Sequence, residues 1–355
     1  MKILTEPIGS IPRSPELVTA ITTQANADQL NKLYTDAIAG TLKEFEETGS
    51  PIITDGEQTK SSFVTYPLEG LTNLTSEGMT INFEDGHSRQ LPLLIKGPFR
   101  YGNYASKYLA AAQKLTSLPV KQAIISASAL SLIYPPDGIE GYPQAEFIAD
   151  LLNECEKDIR LCLEQGAYKV QMDFTEGRLS LKLDPSGGVL KHFIGLNNQV
   201  FDRFTPEEQQ KLGVHVCPGG DHDSTHSADI DYADFLPDLF ELHAGSFYLQ
   251  LASEPDRIKV LTIIKQYLKP NQKVFIGVID VLNPVIETAE EVRDRVLEAA
   301  TFINTNQLGT TDDCGFSPFC DDVSTTRETA FAKIKARIEG TKLAEAELTV
   351  SNKSV

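Results

Sequence analysis

The sequence is poor in basic side chains. Lys and Arg together number 32 against 50 Asp and Glu, which leaves a formal net charge of -18 at pH 7. A surface with this charge repels nucleic-acid phosphates and anionic membranes over most of its area. We therefore expect no nucleic-acid partner, although a local basic pocket for an anionic small molecule is compatible with the same total charge.

Long apolar runs and export signals are also missing. No stretch reaches the roughly 20 apolar residues that a membrane-spanning helix needs. The first residues, Met1 to Pro7, lack the charged head and apolar core of a signal peptide. Cysteines are few and odd in number, with five residues, which favours reduced thiols over a disulfide framework. We therefore predict a cytoplasmic protein with no membrane partner.

Linkers, low-complexity tracts and short repeats are absent from the chain of 355 residues. Hydrophobic residues make up 41% and charged residues 23%, close to ordinary globular composition, so disorder and fibrous architectures are excluded. Because α/β barrels of this length often fold around one core, we predict a single domain over residues 1–355.

Short apolar runs recur along the chain, and longer segments with helical periodicity separate several of them. This alternation is typical of successive βα units. The predicted strands are Leu4 to Ser10, Pro51 to Glu57, Val120 to Ser128, Ala167 to Asp173, Leu212 to Cys217, Ser246 to Ala252, Lys273 to Asp280 and Gln307 to Asp313. Eight such units predict an α/β fold of the (β/α)8, or TIM-barrel, class, with a doubly wound sheet as the alternative.

Two further elements can be read from local patterns. One helix face is predicted from apolar residues at three- and four-residue steps, namely Phe147, Leu151, Cys155, Ile159 and Cys162. Cys155 and Cys162 are therefore interpreted as packing residues, since free cysteines often behave as small buried hydrophobes. A polar, glycine-containing stretch followed by an apolar run predicts a hairpin inserted near residues 70–97.

Polar residues gather at or just beyond the C-terminal ends of the predicted strands. They are Gly9 and Ser10, Glu57, Asp173, His215 and Cys217, Asp280, and Cys314. A barrel brings these ends together on one face, where the active sites of barrel enzymes lie. The pattern favours the barrel over the doubly wound sheet and predicts one site at that face.

His215 and Cys217 are the first part of a predicted metal site. They are two residues apart on a predicted strand, so their side chains point to the same side and can hold one ion. Cys314 lies in a polar, glycine-containing turn after the last predicted strand, where a cysteine is poorly placed for core packing. Two thiolates and an imidazole suit zinc. We predict a Zn²⁺ site on these three residues, with Cys320 as a competitor of Cys314.

Short segments at the strand ends carry a family resemblance. They are Ile8 to Arg13, Asp55 to Glu57, Val170 to Asp173, His215 to Cys217 and Asp312 to Gly315. In this order they resemble motifs of the catalytic barrel of cobalamin-independent methionine synthase and its shorter single-barrel relatives. The resemblance implies zinc on the last two segments and homocysteine on the first three. The implied homocysteine-binding residues are Gly9, Ser10, Glu57 and Asp173.

The chain also departs from the pattern of this family. The family's fourth zinc ligand is a glutamate at the end of the sixth strand, where this sequence offers Gln250 or Glu254, and we favour Glu254. A family histidine after the seventh strand assists proton transfer. Leu282 takes its place here, so Asp280 is the predicted catalytic substitute. Tryptophan is absent, which leaves no indole to stack on a pterin. These departures predict that a folate is a poor donor.

Together these motifs predict a zinc-dependent thiol methyl- or alkyltransferase. A metal-activated thiolate would attack a small alkyl donor, with homocysteine as the expected acceptor. Opening of an epoxide by coenzyme M is the alternative within the same chemistry. The three predicted ligands argue against a metal-free decarboxylase of the uroporphyrinogen decarboxylase type. A non-catalytic zinc-binding protein is the alternative from another class. The expected partners are small molecules, and the sequence is compatible with a homo-oligomer.

Overall fold

Seven parallel strands form the central sheet of the computed structural model, which describes residues 2–351. The strands in that part of the chain are β1 (Leu4–Thr5), β2 (Leu74–Asn82), β3 (Ser88–Leu94), β4 (Lys121–Ile125), β5 (Lys169–Asp173), β6 (Leu212–Val216), β7 (Gly220–Asp221), β8 (Ser224–Thr225), β9 (Ser246–Leu249), β10 (Lys273–Gly277) and β11 (Leu308–Thr311). The sheet order is β1-β11-β10-β9-β6-β5-β4. This curled, parallel sheet confirms the predicted TIM-barrel class.

The second predicted barrel strand, residues 51–57, is less regular than the sequence suggested. It forms a single parallel bridge, at Ile53, beside the start of β4. On its other side Thr54 Oγ1 donates a hydrogen bond to Gly9 O at 2.8 Å, which ties it to the chain after β1. Glu57 has a positive φ of 55°, which turns the backbone out of the extended conformation. The segment therefore lies between β4 and the chain after β1, where it completes the barrel with one bridge in place of a regular strand.

Helices alternate with the strands of the sheet. The described residues form α1 (Pro15–Thr22), α2 (Ala27–Thr48), α3 (Ser106–Gln113), α4 (Ala127–Ser131), α5 (Gln144–Glu164), α6 (Glu176–Leu183), α7 (Gly188–Phe201), α8 (Pro206–Gln209), α9 (Tyr232–Leu239), α10 (Arg257–Tyr267), α11 (Ala289–Ala300) and α12 (Arg327–Ser351). None of these helices is both long and apolar enough to cross a membrane.

Local sequence signals explain how several helices begin and pack. α8 and α11 start at capping boxes on Thr205 and Thr288. In each, the threonine hydroxyl oxygen accepts a hydrogen bond from a backbone N–H of the first turn, and a glutamate side chain accepts one from the threonine N–H. α5 packs through the apolar face that its periodicity predicts, because all five residues of that face are buried. Those residues are Phe147, Leu151, Cys155, Ile159 and Cys162.

The strands β2 and β3 form an antiparallel hairpin before β4, which confirms the hairpin predicted near residues 70–97. At its tip, Glu84 N donates a hydrogen bond to Thr225 O at 2.9 Å. Thr225 belongs to the β7 and β8 loop that follows β6. The hairpin tip therefore lies against a loop at the C-terminal face of the barrel.

The barrel interior contains a buried network of charged side chains. Lys169 Nζ lies 2.9 Å from Glu6 Oε1, and Tyr248 OH donates to Glu6 Oε2 at 2.5 Å. Lys121 Nζ lies 3.7 Å from Glu6 Oε2 and 3.9 Å from the centre of the Tyr248 ring. Burial lowers the pKa of Lys121 to about 7. Because Lys121 and Lys169 begin β4 and β5, this network lies below the strand ends that carry the predicted site.

Candidate metal centre and substrate site

Three ligand-type side chains meet at the C-terminal face of the barrel. His215 lies on β6, Cys217 follows that strand, and Cys314 lies in the turn after β11. Their ligand atoms all lie within 4.8 Å of one another, and the two sulfur atoms are 3.0 Å apart. The structure thus brings together the three residues that the sequence predicts as zinc ligands, a group that we call the Cys217 triad.

The Cys217 triad fits a zinc ion in its hydrogen bonding and in its donor chemistry. His215 is 2% exposed, and neither of its ring nitrogens has a hydrogen-bond partner. Buried polar atoms are usually paired, because an unpaired one costs about 1–3 kcal/mol. One imidazole nitrogen with two sulfur donors is a set that zinc prefers. The residues present therefore suit this ion.

The two neighbouring cysteines of the triad have pKa values shifted in opposite directions. The hydrogen bond between the sulfur atoms holds the pKa of Cys217 well below its usual range, and His215 lowers it further. The same hydrogen bond raises the pKa of Cys314 well above its usual range. Burial lowers the pKa of His215, but the nearby Cys217 and Asp173 outweigh burial, and the pKa is raised. The triad thus favours a thiolate that can bind a cation.

The remaining cysteines lie outside the triad. Cys155 and Cys162 are buried on α5, and burial raises the pKa of Cys155 to about 12. Cys320 is half-buried, and its backbone N–H donates to Ser61 O at 3.0 Å, which holds it at the segment after residues 51–57. The structure therefore brings Cys314, and not the competing Cys320, to His215.

Glu254, the favoured fourth ligand, has a different partner in the structure. Its Oε1 accepts a hydrogen bond from Arg178 Nη1 at 2.8 Å, with side chains that are 8% and 2% exposed. A buried arginine needs a carboxylate to compensate its charge, and Glu254 meets this need. The structure does not bring Glu254 to the Cys217 triad.

Gln250 is the alternative that the structure leaves free. It follows the end of β9, its amide oxygen is buried without a hydrogen-bond partner, and it lines one cavity with Cys314. Its amide nitrogen donates to Ser253 Oγ at 2.8 Å. The adjoining turn is held by Asp313, whose carboxylate accepts hydrogen bonds from the backbone N–H groups of residues 251–253. Because Asp313 precedes Cys314, these bonds fix the Gln250 turn beside the triad.

A narrow cleft opens beside the triad. We call it the Ser10 cleft, and it is lined by the triad together with Gly9, Ser10, Glu57 and Asp173. These four are the predicted substrate-binding residues, so the structure gathers them all at one place. The turn after Cys314 packs tightly on Ser10, since a Cβ added at Gly315 would lie 2.2 Å from Ser10 Oγ. A side chain at position 315 would therefore displace the Ser10 hydroxyl, which accepts a hydrogen bond from Ser317 N.

Buried partners hold the two carboxyl groups of the Ser10 cleft. Lys60 Nζ lies 3.0 Å from Glu57 Oε1, and this pair is almost fully buried. Gln171 Nε2 donates to Asp173 Oδ1 at 2.8 Å, and Lys121 Nζ donates to Gln171 Oε1 at 2.8 Å. Burial raises the pKa of Asp173 to about 7. The cleft therefore presents one carboxylate compensated by a lysine and one carboxyl group that is partly protonated near neutral pH.

A larger cavity of about 240 Å³ shares Cys314 and Gly220 with the Ser10 cleft. We call it the Asp280 cavity, because Asp280, the predicted catalytic residue, lines it together with Leu282 and Gln250. Asp280 Oδ1 accepts a hydrogen bond from Leu282 N at 3.1 Å, which fixes the carboxylate against its own turn. The structure thus places Asp280 in a compartment separate from the Ser10 cleft, with Cys314 common to both.

A second group of ligand-type side chains lies after β6. Asp221, His222 and Asp322, here the Asp221 cluster, also have ligand atoms within 4.8 Å of one another. Arg89 Nε donates to Asp221 Oδ2 at 2.5 Å, and His87 Nε2 lies 3.0 Å from the same oxygen. These contacts join the hairpin to the loop after β6. The charge of Asp221 is thus already compensated by a protein cation.

Comparison with known proteins now gives the family. The family model described as the catalytic domain of cobalamin-independent synthase matches residues 3–336. The chain belongs to this family. The matched range includes the whole Cys217 triad, the Ser10 cleft and the Asp280 cavity.

Curated relatives match this cobalamin-independent synthase family member over nearly its full length. A methionine synthase from Saccharolobus islandicus (strain Y.G.57.14 / Yellowstone #1) is 22% identical over 352 residues, which cover 98% of this chain and 96% of the relative. The uncharacterized protein YxjH from Bacillus subtilis (strain 168) is 23% identical over 354 residues, which cover 94% and 92% of the two chains. The chain therefore has about the same length as these relatives.

Solved structures share the fold of this family member. A B12-independent methionine synthase from Shewanella sp. W3-18-1, solved in complex with selenomethionine, is similar with a TM-score of 0.77 and 19% identity, and covers 98% of this chain and 100% of that chain. A B12-independent methionine synthase described as putative, from Listeria monocytogenes, has a TM-score of 0.69 and 19% identity, with 96% and 98% coverage. At this identity the likeness shows a common barrel fold.

Three contacts at the site of this synthase-family chain were missed by sequence reasoning. Lys60 lies in the turn after Glu57, where no helical spacing rule predicts their ion pair. Gln171 shares strand parity with Asp173, which could have indicated a contact. Arg89 left no local signal, because its contact with the Asp221 cluster depends on where the hairpin docks.

Proposed function

We propose that this member of the cobalamin-independent synthase family is a zinc-dependent methyltransferase that methylates the thiol of homocysteine. The observation that carries the proposal is the Cys217 triad, which presents two sulfur atoms and an unpaired buried imidazole to the Ser10 cleft. Family membership and the methionine synthase relatives support methyl transfer to this acceptor.

The zinc-holding residues in this proposal are His215, Cys217 and Cys314, with the amide oxygen of Gln250 as the exchangeable fourth ligand. When bound, zinc stabilises the thiolate of the substrate at neutral pH, and the thiolate is the nucleophilic form. The amide oxygen of Gln250 is uncharged, so it would hold the ion more weakly than a carboxylate would. Gln250 thus suits a site that exchanges a ligand during turnover.

The Ser10 cleft binds the amino-acid end of homocysteine. Glu57 and Asp173 face the ammonium group, and the backbone at Gly9 and Ser10 faces the carboxylate. Lys60 compensates Glu57, so Asp173 supplies the larger share of the attraction for an ammonium group. An ammonium group beside Asp173 favours the ionised carboxylate, against the burial that raises its pKa to about 7.

Methyl transfer forms a bond between the acceptor sulfur and the methyl carbon, and breaks the bond from that carbon to the donor. In the Asp280 cavity Leu282 has no proton to give, and Asp280 can act as a general acid only in its protonated form. A folate nitrogen must be protonated to leave. We therefore expect 5-methyltetrahydrofolate to be a poor donor.

The test is a methylation assay with purified, zinc-loaded protein. Homocysteine is incubated with a panel of folate, neutral and cationic methyl donors, and methionine is measured by mass spectrometry above the rate without enzyme. At least one donor should yield methionine, Cys314→Ser should abolish the product, and Cys162→Ala should retain it because Cys162 lies on the packed face of α5. The proposal fails if no donor yields methionine or if Cys314→Ser keeps the full rate.

A further inference from the structure

The lining of the Asp280 cavity is acidic. Three acidic residues, Glu84, Asp280 and Asp313, line a space of about 240 Å³ that Cys314 also lines. No lysine, arginine or histidine of the described chain lines this cavity. A bound anion would meet carboxylates without a compensating cation, whereas a bound cation would be attracted.

A buried, unpaired polar atom provides a second and independent sign of a ligand. Thr225 is 5% exposed, lines the Asp280 cavity, and its Oγ1 has no hydrogen-bond partner. The backbone oxygen of Thr225 is bonded to Glu84 N, so the hairpin tip and this hydroxyl are held together at the cavity wall. A buried hydroxyl without a partner costs free energy, and the lone pairs of its oxygen can contact a bound cation.

The carboxyl groups of Asp280 and Asp313 are engaged in hydrogen bonds at the cavity wall. Leu282 is aliphatic, and Asp280 Oδ1 is engaged with the backbone N–H of Leu282. Both oxygens of Asp313 are held by hydrogen bonds from three backbone N–H groups and from Ser253 Oγ. A methyl donor whose leaving group departs without a proton therefore suits this cavity best.

We propose that the Asp280 cavity binds a small cationic methyl donor, in which the methyl group is attached to a sulfonium or quaternary ammonium centre. This inference rests on the proposed function and names the donor class for the same site. A cationic donor compensates the negative charge of the acidic residues that line the cavity. After transfer, the rest of the donor departs as a neutral thioether or tertiary amine. No proton is required for that departure.

The transfer balances without a further reactant. A lone pair of the acceptor sulfur forms the new sulfur–carbon bond, and the electron pair of the donor bond remains on the departing sulfur or nitrogen. The acceptor thiol loses its proton to solvent before the attack. The positive charge of the donor is neutralised by the negative charge of the thiolate, and two neutral products leave.

The two sites therefore differ in how far their negative charge is compensated. The Ser10 cleft holds a carboxyl pair that is partly compensated by Lys60, whereas the Asp280 cavity holds carboxylates with no lining cation in the described chain. Donors with several carboxylates, such as polyglutamylated folates, would be repelled from the second site. The cavity therefore selects by charge as well as by size.

Binding is tested first, with choline and its neutral carbon isostere 3,3-dimethylbutan-1-ol, by calorimetry on zinc-loaded protein. Choline should bind more tightly than the isostere by about tenfold, since the two differ mainly in charge. Asp280→Asn should weaken choline about fivefold and Glu84→Gln about twofold, with the isostere unchanged. Glu77→Gln, the same charge change on an exposed position of the same hairpin, is the matched control and should have no effect.

Equal affinity for choline and its isostere would overturn the proposal, as would choline binding that Asp280→Asn leaves unchanged.

Turnover is tested next, with homocysteine and three donors: trimethylsulfonium, tetramethylammonium and 5-methyltetrahydrofolate. Release of dimethyl sulfide or of trimethylamine distinguishes the two cationic classes, and either one supports the proposal. Methylation by the folate alone would overturn it. Methylation by none of the three donors contradicts the proposed function, and the choline measurement then decides separately whether the cavity prefers cations.

Discussion

The Cys217 triad and the Asp221 cluster look alike by composition but differ in how their polar atoms are satisfied. Each places three ligand-type atoms within 4.8 Å of one another, near the loop after β6. In the triad both ring nitrogens of His215 are unpaired. In the cluster Asp221 is bonded to Arg89 and contacted by His87. The difference separates a site that needs a ligand from an ion cluster that is already complete.

The contrast has a simple energetic basis. A buried polar atom without a partner destabilises the folded protein, so it persists mainly where a ligand completes it. A buried carboxylate with an arginine partner is satisfied without any metal, and removal of the arginine is what destabilises it. The Asp221 cluster therefore serves to dock the hairpin, which carries Arg89, on the loop that carries Asp221.

The largest expected effect comes from Arg89→Ala. The Asp221 side chain is fully buried, so loss of its cation should lower the free energy of unfolding by about 3 kcal/mol. Chemical denaturation measures this change. Arg100→Ala is the control, because Arg100 is 54% exposed in its pair with Asp150 and should cost less than about 1 kcal/mol. A second bound zinc ion in Arg89→Ala, with stability unchanged, would instead make the Asp221 cluster a metal site that arginine blocks.

A much smaller change in stability is expected at the triad. In metal-free protein, His215→Leu removes two buried nitrogens without hydrogen-bond partners, but it also removes the imidazole that favours the Cys217 thiolate, so the free energy of unfolding should change by less than about 1 kcal/mol. Thermal denaturation after chelation measures it. His243→Leu, at an exposed histidine beside Asp202, should change stability little. Marked destabilisation of the metal-free protein by His215→Leu would show that the imidazole has a packing role.

Zinc affinity in variants of Gln250 and Glu254 distinguishes the two candidate oxygen ligands, and the first variant is Gln250→Glu. A carboxylate at this position adds a negative charge beside the triad and should tighten zinc binding about tenfold. Competition with a chromophoric chelator measures the affinity. Glu254→Gln should leave zinc affinity unchanged and destabilise the protein, because Glu254 compensates Arg178. A large loss of zinc affinity in Glu254→Gln, with none in Gln250→Ala, would restore Glu254 as the ligand.

The smallest effect is expected in the Ser10 cleft. Glu57→Gln should weaken homocysteine about fivefold and an uncharged thiol less, because only homocysteine has an ammonium group to lose a charged partner. The effect is limited because Lys60 already compensates Glu57. The KM values of the two thiols give the comparison. Equal weakening of both would show that Glu57 does not face the ammonium group.

Much of the fold could be predicted because its strands are buried apolar runs separated by helical segments. The triad could also be predicted, since His215 and Cys217 share strand parity and Cys314 lies in a turn that is unsuited to core packing. The segment 51–57 could not be predicted in detail, because its pairing depends on the turn at Glu57 and on a side-chain bond from Thr54.

The choice between the two candidate oxygen ligands could not be made from the sequence. Gln250 and Glu254 have the same strand parity, so no local rule separates them. They differ in their tertiary contacts: Arg178 binds Glu254 from another element, whereas the Gln250 oxygen has no hydrogen-bond partner. Such a choice depends on tertiary position. The same applies to Lys121, which reaches Asp173 only through Gln171 across neighbouring strands.

Metal content is the most direct test of the central claim that the Cys217 triad, and not the Asp221 cluster, is the zinc site. Protein purified without chelator is measured by inductively coupled plasma mass spectrometry, alongside Cys217→Ser, Cys314→Ser and Asp221→Asn. We predict about one zinc ion per chain in the wild type and in Asp221→Asn, and almost none in either cysteine variant. Full zinc retention in both cysteine variants, or its loss in Asp221→Asn alone, would contradict the assignment.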